Sequence, residues 1–173
     1  MNYVQRRTFT PCMDGRLMRK GYRMAINMTG EETLPATRNV VWQMLNDPEV
    51  LQACIPGCEV LERNEDGGLN AVARVKIGPV KARFKGQVSF EDMNAPAGYR
   101  IVGEGSGGIS GFAKGGARVD LEDCGEETIL RYEAEAQVGG KLAQLGSRLV
   151  DGVAKKMADE FFRSFGAAVR EAS

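Results

Sequence analysis

Two kinds of hydrophobic spacing follow each other along this chain, and their order restricts the folds open to it. From residue 58 to residue 138, apolar side chains recur at every second position, as in VKARFKGQVSF (80–90). After residue 140 they recur at every third or fourth position instead. Period-two alternation is typical of an antiparallel sheet with one solvated face, and the later spacing is typical of an amphipathic helix. We therefore expect a series of antiparallel strands followed by one long helix.

The segments that precede this series predict one more strand and two short helices. Residues 25–34 form an extended segment that Pro35 ends, and TRNVVWQML (37–45) places its apolar residues on one helical stripe. Asp47 can cap a second short helix in which Pro48 takes the first position. The order is then strand, two short helices, about six strands and one long helix. Because strands and helices do not alternate, the predicted class is α+β with an antiparallel sheet.

A glycine pattern in the middle of the chain imitates a nucleotide-binding loop. Gly103, Gly105 and Gly108 match G-x-G-x-x-G, and an acidic pair at 122–123 follows at nearly the spacing of a ribose-binding carboxylate. A dinucleotide loop must lead into a helix whose N-terminus holds the pyrophosphate. Here the residues that follow, ARVDLEDC (117–124), alternate as a strand. The sequence therefore predicts no nucleotide site.

The composition excludes several kinds of chemistry. The chain has no histidine, which removes Ser-His-Asp and Cys-His nucleophiles, most zinc sites and the commonest general base. The four cysteines, which have no familiar metal spacing, are predicted to be free thiols in a reducing compartment: Cys12, Cys54, Cys58 and Cys124. A net charge of zero gives no support to a nucleic-acid partner. We expect no catalytic constellation and no metal site, with Glu104, Glu133 and Glu135 pointing outward.

The first 23 residues differ in charge from the rest. They hold six basic side chains and one acidic one, whereas residues 24–173 hold 17 basic and 22 acidic ones. This leader lacks the apolar region of a secretory signal, and no apolar run reaches the roughly 18 residues of a membrane-spanning helix. We expect a disordered extension or a start codon assigned too far upstream, with a transit peptide as the alternative. The expected folded domain is 24–173, in the cytoplasm.

Small residues dominate the apolar faces of the predicted strands: Ala71, Ala73, Ala82, Gly86, Gly103, Gly105, Ala117, Ala134 and Ala136. Protein interiors are close-packed, so the volume left by these residues has to be filled. The Phe and Met side chains of the long helix are one candidate filler. The other is a hydrophobic ligand in an apolar cavity, to which the inward-pointing Tyr132 would offer a polar contact.

One predicted hairpin has a basic outer face, formed by Arg74, Lys76, Lys81, Arg83 and Lys85. This face is either simply solvated, with Glu133 and Glu135 as cross-strand partners if their strand is adjacent, or a docking patch. A docking patch of this charge would suit anionic lipid headgroups or an acidic protein.

The order of elements and four segments resemble a known family. The order is that of the helix-grip, or START-like, fold of the SRPBCC superfamily, and within it the chain resembles the family of the G subunit of carbon monoxide dehydrogenase. The segments are VWQMLNDPEVLQACIPGCEVLE (41–62), KIGPVKARFKGQV (76–88), GGARVDL (115–121) and LGSRLVDGVAKKMADEFFRSF (145–165).

The resemblance implies a curved sheet around the C-terminal helix and a non-catalytic accessory protein of molybdenum hydroxylases. Members of the family look like carriers of a lipophilic molecule, with a respiratory quinone as the favoured ligand. For this chain we expect no cofactor. They are linked to attaching carbon monoxide dehydrogenase to the inner face of the membrane. Some carry an apolar C-terminal tail, whereas this sequence ends at Ser173.

The expected ligand site lies between the sheet and the last helix. Its wall candidates by face are Phe84, Val88, Phe90, Phe112 and Tyr132 from the sheet, and Leu149, Val153, Met157 and Phe161 from the helix. Two alternatives stay open. One is an enzyme of the polyketide cyclase or aromatase type on the same fold, which would need an inward-pointing acid or base. The other is a docking adaptor with a filled core that uses the basic hairpin.

Overall fold

The computed structural model describes residues 23–173, and it contains the expected elements in the expected order. The strands are β1 (Arg23–Leu34), β2 (Cys58–Arg63), β3 (Leu69–Ile77), β4 (Val80–Asn94), β5 (Gly98–Ser106), β6 (Phe112–Cys124) and β7 (Glu127–Gly139). The helices are α1 (Arg38–Leu45), α2 (Pro48–Cys54), α3 (Lys141–Gln144) and α4 (Ser147–Ala172), with a 3-10 turn at Gly108–Ser110. The α+β class is confirmed. The predicted leader lies outside the described residues, except that Arg23 already belongs to β1.

All seven strands form one antiparallel sheet in the order β1-β7-β6-β5-β4-β3-β2. The sheet curves around α4. The helix contacts β1, the strand at one edge of the sheet, and β3, which lies next to the other edge strand, β2. Side chains alternate between the face toward α4 and the solvated face, as the period-two pattern predicted, except at bulges in β2 and near the end of β4. We call these the inner and the outer face.

The two short helices begin where their capping residues predicted. The Asp47 carboxylate accepts a hydrogen bond from the Glu49 backbone N–H (3.0 Å), and Pro48 occupies the first helical position. Helices α1 and α2 both contact α4 and bury Val41 and Cys54. They therefore close one end of the sheet.

The expectation of one uninterrupted helix after Gly139-Gly140 is corrected. A four-residue helix, α3, comes first, and the chain then breaks at Gly146, whose φ of +90° cannot continue a right-handed helix. The hydrophobic spacing does not show the break because Leu145 and Leu149, which lie on either side of Gly146, keep a helical interval of four residues.

The glycine pattern leads into a strand, as predicted. Gly103 and Gly105 belong to β5, Gly108 starts the three-residue 3-10 turn, and β6 follows. The helix that a dinucleotide loop requires does not follow these glycines.

The core consists of two separate clusters. The Phe165 cluster lies near α1 and α2 and contains Leu34, Ala36, Val41, Leu45, Cys54, Tyr99, Val119, Leu121, Leu130, Phe165 and Val169. The Val150 cluster lies near the start of α4 and contains Ile26, Ile77, Val138, Leu142 and Val150. Between the two, the inner face of the sheet carries mainly alanine and glycine.

Candidate functional site

A cavity of about 420 Å³ that is open to solvent lies on the inner face of the sheet, in the band of small residues between the two core clusters, and strand residues alone line it. Strands β3 to β7 supply its inward-pointing lining: Ala71, Ala73, Phe84, Gly86, Val88, Ile101, Gly103, Gly105, Ala113, Gly115, Ala117, Ala134 and Ala136. The polar residues that border it alternate with these and point to the outer face. The lining is therefore apolar, and the volume of the cavity lies in the roughly 300–1,000 Å³ range of small-molecule sites.

Glycines shape this cavity in two different ways. A Cβ on Gly86 would overlap the carbonyl oxygen of Glu104, so the approach of β5 to β4 requires glycine there. At Gly105, directly opposite Gly86, an added Cβ would meet its nearest heavy atom at 3.5 Å, an ordinary contact. Gly105 therefore leaves space that a side chain would otherwise occupy.

The wall candidates from β4 are divided between the cavity and the core. Phe84 and Val88 are among the lining residues. Phe90 packs against the Phe165 cluster, with its ring edge-on to Tyr99 at a centroid distance of 5.4 Å. Only the first two of these three side chains therefore border the cavity.

The wall candidates from α4 take different places along the helix, and none of them is among the lining residues of the cavity. Val153 packs on the Val150 cluster and Phe161 packs on the Phe165 cluster. Met157 lies one helical turn from Val153 and one from Phe161; its side chain is half-buried and belongs to neither cluster. Leu149, at the helix start, is 39% exposed. Met157 is thus the α4 candidate that lies level with the gap between the clusters.

The expected inward orientation of Phe112 is wrong. Phe112 pairs with Gly139, whose neighbour Val138 is buried on the inner face, so both Phe112 and Gly139 lie on the outer face. The ring covers Gly139, where a Cβ would overlap it, and the Arg23 guanidinium lies 5.9 Å from the ring centroid. The physical reason is the alternation of β6, which turns Ala113 inward and its neighbour outward.

Tyr132 points inward, as predicted, one alternation beyond the lining residue Ala134. Its ring stacks on Phe162 with centroids 5.0 Å apart and planes 20° apart, and it covers Gly30. Burial raises the pKa of the Tyr132 phenol, and the carboxylates of Glu32 and Asp159 raise it further. Tyr132 is therefore neutral at physiological pH and able to donate a hydrogen bond.

Two residues beside Tyr132, Glu32 and Phe162, were not among the predicted site residues. Glu32 pairs with the buried Leu130, so it occupies an inward position of β1 beside Tyr132. Alternation from Met28 would have revealed it. Phe162 lies about 100° around α4 from its neighbour Phe161. Both rings pack on the Phe165 cluster, and helical spacing from Met157 favoured Phe161 alone.

The basic outer face is partly neutralised, but not by the expected partners. The Glu59 carboxylate of β2 accepts a hydrogen bond from Arg83 Nε (2.9 Å) and also forms an ion pair with Arg74. The hydrogen bond from Arg83 is the main cause of the lowered pKa of the Glu59 carboxyl. Glu133 and Glu135 are in β7, three strands away from β4, and Glu135 pairs with Arg100 instead. They are exposed on the outer face, as is Glu104.

No metal-binding group of three or more His, Cys, Asp or Glu side chains occurs in residues 23–173. Of the three described cysteines, all free, burial raises the pKa of the Cys54 and Cys58 thiols, which makes both poor nucleophiles at neutral pH. Cys12 lies outside the described residues. None of the helices in residues 23–173 is long and apolar enough to cross a membrane.

A curved antiparallel sheet around a long C-terminal helix, with two short helices after the first strand, defines a helix-grip protein of the START-like class. The fold is similar to that of a START superfamily protein from Mycobacterium smegmatis, with a TM-score of 0.64, 14% identity, and coverage of 85% of this chain and 99% of that one. It is also similar to the Zhui aromatase/cyclase from Streptomyces sp. R1128, with a TM-score of 0.62, 12% identity, and coverage of 85% and 94%. At these identities the likeness concerns the fold alone.

The chain belongs to the CoxG family, that of the G subunit of carbon monoxide dehydrogenase, whose model matches residues 30–170. A conserved protein from Geobacillus kaustophilus is 32% identical, with a TM-score of 0.79 and coverage of 85% of this chain and 97% of that one. No functionally curated protein sequence matches the chain at a significant level.

Proposed function

We propose that this protein binds a hydrophobic ligand, a quinone or another lipid, in the cavity between the sheet and α4. It would do so as a non-catalytic accessory protein of a molybdenum hydroxylase of the carbon monoxide dehydrogenase type. The observation that supports the proposal is the cavity of about 420 Å³ between two well-packed clusters, lined by alanine and glycine.

The chemistry of the lining favours a neutral, apolar ligand. Charged side chains next to the lining point to the outer face, so an ionic ligand would lose its hydration without gaining a partner. An apolar ligand gains free energy in proportion to the surface that it removes from water. Tyr132 is the nearest inward hydroxyl donor along β7, and it suits a carbonyl oxygen of the kind that a quinone carries.

The ligand proposal is tested by closing the cavity. Ala134→Trp places a large side chain on the inner face, and we expect it to abolish binding of a short-chain ubiquinone measured by fluorescence quenching. The matched control is Ala25→Trp, which puts the same side chain on the outer face of β1. Circular dichroism checks that both variants keep the fold. Binding by Ala134→Trp equal to that of the control would place the ligand elsewhere.

The role as an accessory protein rests on the family to which the chain belongs. We propose that it helps to link its partner enzyme to the inner face of the membrane through peripheral contact. Co-purification of a tagged full chain with a molybdenum-containing enzyme, detected by metal analysis of the eluate, tests this link. An eluate without molybdenum, from cells that express such an enzyme, would contradict it.

An enzyme of the cyclase or aromatase type is the second candidate, because an inward carboxylate exists. The carboxylates of Glu32 and Asp159 both raise the pKa of the Tyr132 phenol. Glu32 and Tyr132 would be the base and the acid of such an enzyme, on a fold that is similar to that of an aromatase/cyclase. If the protein is an enzyme, the bound ligand should be recovered chemically altered from the native chain and unaltered from Glu32→Gln. Recovery unaltered from both would support the carrier. A docking adaptor with a filled core fits less well, because the cavity separates the core clusters.

A further inference from the structure

Exposed apolar side chains gather at one end of the molecule. Among the large hydrophobic side chains of the described residues, four stand out as exposed, and three of these are Ile109 (84%), Leu149 (39%) and Phe112 (37%). The fourth, Met93 (51%), lies at the opposite end, next to the β4–β5 turn. A single exposed hydrophobic residue is ordinary on a protein surface, whereas a group of them marks an interaction site.

These three residues belong to one surface. It comprises the β3–β4 turn with Lys76 and Lys81 beside it, the 3-10 turn, the start of β6, α3 and the first turn of α4, and we call it the basic end. The 3-10 turn that carries Ile109 contacts both α3 and β4. Leu149 lies against the β3–β4 turn, since a Cβ on Gly78 would be 2.9 Å from Leu149 Cδ2.

The loop around Ile109 has a fixed shape. Gly108 and Gly111 have φ angles of +64° and +123°, which side chains rarely adopt. The Gly107 N–H donates to the Gly111 carbonyl (2.9 Å), and Gly111 packs so closely on the Gly139 carbonyl that a Cβ would overlap it. The fold therefore holds Ile109 in solvent, where an apolar side chain gains nothing within the monomer.

Unpaired basic side chains surround these apolar residues: Lys76, Lys81, Lys141 and Arg148, all exposed. None of them takes part in an ion pair with another described residue. Asp151 is the acidic residue closest along α4 to this group. Residues 24–173 as a whole carry more acidic than basic side chains, so this group of four exposed basic side chains contrasts with the net charge of the domain. The segment 1–22, with five basic and one acidic side chain, joins at this same end through Arg23, which pairs with Gly139.

We propose that the basic end docks on an anionic lipid bilayer. Ile109 and Leu149 enter the headgroup region, and the lysines contact the lipid phosphates. This deepens the proposed function, on which it rests, by naming the surface at which a lipophilic ligand passes between bilayer and protein. Phe84 connects the cavity with the basic end. It lines the cavity, and its ring is 3.2 Å from where a Cβ would lie on Gly107, the residue that precedes the 3-10 turn.

Flotation of the full chain with vesicles tests the docking surface. The vesicles contain phosphatidylcholine alone or with about 30% phosphatidylglycerol, which sets a surface charge in the range that attracts basic segments. The native chain should float with the anionic vesicles only, and added salt should weaken binding because it screens the charges. Ile109→Asp and the double variant Lys81→Glu/Lys141→Glu should each lower the bound fraction at least about tenfold.

The controls match each change in kind. Met93→Asp introduces the same charge at an exposed apolar residue of the opposite end, and Lys155→Glu/Arg170→Glu reverses two charges farther along α4. Both should float as the native chain does. The proposal is overturned if the native chain ignores anionic vesicles, or if the basic-end variants bind them as well as the controls.

A second measurement separates this proposal from the proposed function. Binding of a water-soluble short-chain quinone without vesicles reports on the cavity alone, and it should be unchanged in Ile109→Asp. If that quinone binding is absent from the native chain while the vesicle results hold, the ligand proposal fails and the docking surface stands. If quinone binding is present and vesicle binding is not, the docking surface fails.

Discussion

Gly86 of β4 and Gly105 of β5 are paired directly opposite each other, both at inward positions. The inner face therefore carries no side chain at this pair. Only one of the two glycines is required by the backbone. A Cβ on Gly86 would overlap the Glu104 carbonyl oxygen, whereas a Cβ on Gly105 would make an ordinary contact with the Lys85 carbonyl oxygen at 3.5 Å. This difference allows the volume of the cavity and the integrity of the sheet to be changed separately.

Gly105→Leu should block the ligand without harming the fold. The side chain would fill part of the cavity, and the free energy of unfolding should stay within about 1 kcal/mol of the native value or rise, since apolar surface becomes buried. Urea unfolding and quinone binding measure the two effects. Gly86→Ala is the counterpart, and the overlap with β5 should cost about 1–3 kcal/mol. Equal destabilisation by both substitutions would contradict the distinction.

Phe165 and Met157 lie on the same helix but should respond very differently to truncation. Phe165 is fully buried, so Phe165→Ala should lower the free energy of unfolding by about 3–5 kcal/mol. Met157 is half-buried level with the gap between the clusters, so Met157→Ala should cost about 1 kcal/mol or less. Denaturant unfolding compares the two. A loss for Met157→Ala as large as that for Phe165→Ala would mean that the helix is packed tightly along its whole length.

Tyr99 should make the protein sensitive to alkali. Burial raises the pKa of its phenol well above the ordinary value of about 10, and its hydroxyl donates to the Leu45 carbonyl (3.4 Å). Above about pH 10 the unfolded chain has lost this proton and the folded protein has kept it, so the free energy of unfolding falls as pH rises. The stabilisation is fully present below the unfolded pKa and is lost as pH rises through the folded pKa.

Removing the titrating hydroxyl should remove this part of the pH dependence. We expect the free energy of unfolding of Tyr99→Phe to fall less steeply with pH than that of the native chain between about pH 10 and 12. The difference in slope should be up to about 1.4 kcal/mol per pH unit, the value for one proton. Tyr132→Phe is the comparison, because Tyr132 is only half-buried and should change the slope less. Parallel curves for Tyr99→Phe and the native chain would show that Tyr99 ionises equally in both states.

The order of elements was readable from the sequence because each signal is local. Period-two alternation identified the strands, and Asp47 with Pro48 identified the start of α2, since capping depends on residues within one turn. The break at Gly146 was not readable, because hydrophobic spacing does not reveal backbone conformation and the apolar residues on both sides of the break pack in the same cluster. Local patterns therefore located elements better than their interruptions.

The candidate site was less predictable because it depends on register and on contacts between distant segments. Phe112 was assigned to the inner face by alternation, but the register of β6 places Ala113 and Val119 on that face and Phe112 on the other. Glu59 as the partner of Arg74 and Arg83 required the strand order, which places β2 beside β3 at the edge of the sheet. Inward alanines and glycines predicted empty volume, but only the structure locates the cavity between two clusters.

The central claim is that the cavity holds a lipophilic ligand. It is tested most directly by native mass spectrometry of the full chain after incubation with vesicles that contain ubiquinone, alongside mass spectrometry of an organic extract of the same sample. We expect one quinone or other lipid per native chain and none in Gly105→Leu. A native chain that stays free of ligand, or equal occupancy in Gly105→Leu, would contradict a ligand site in this cavity.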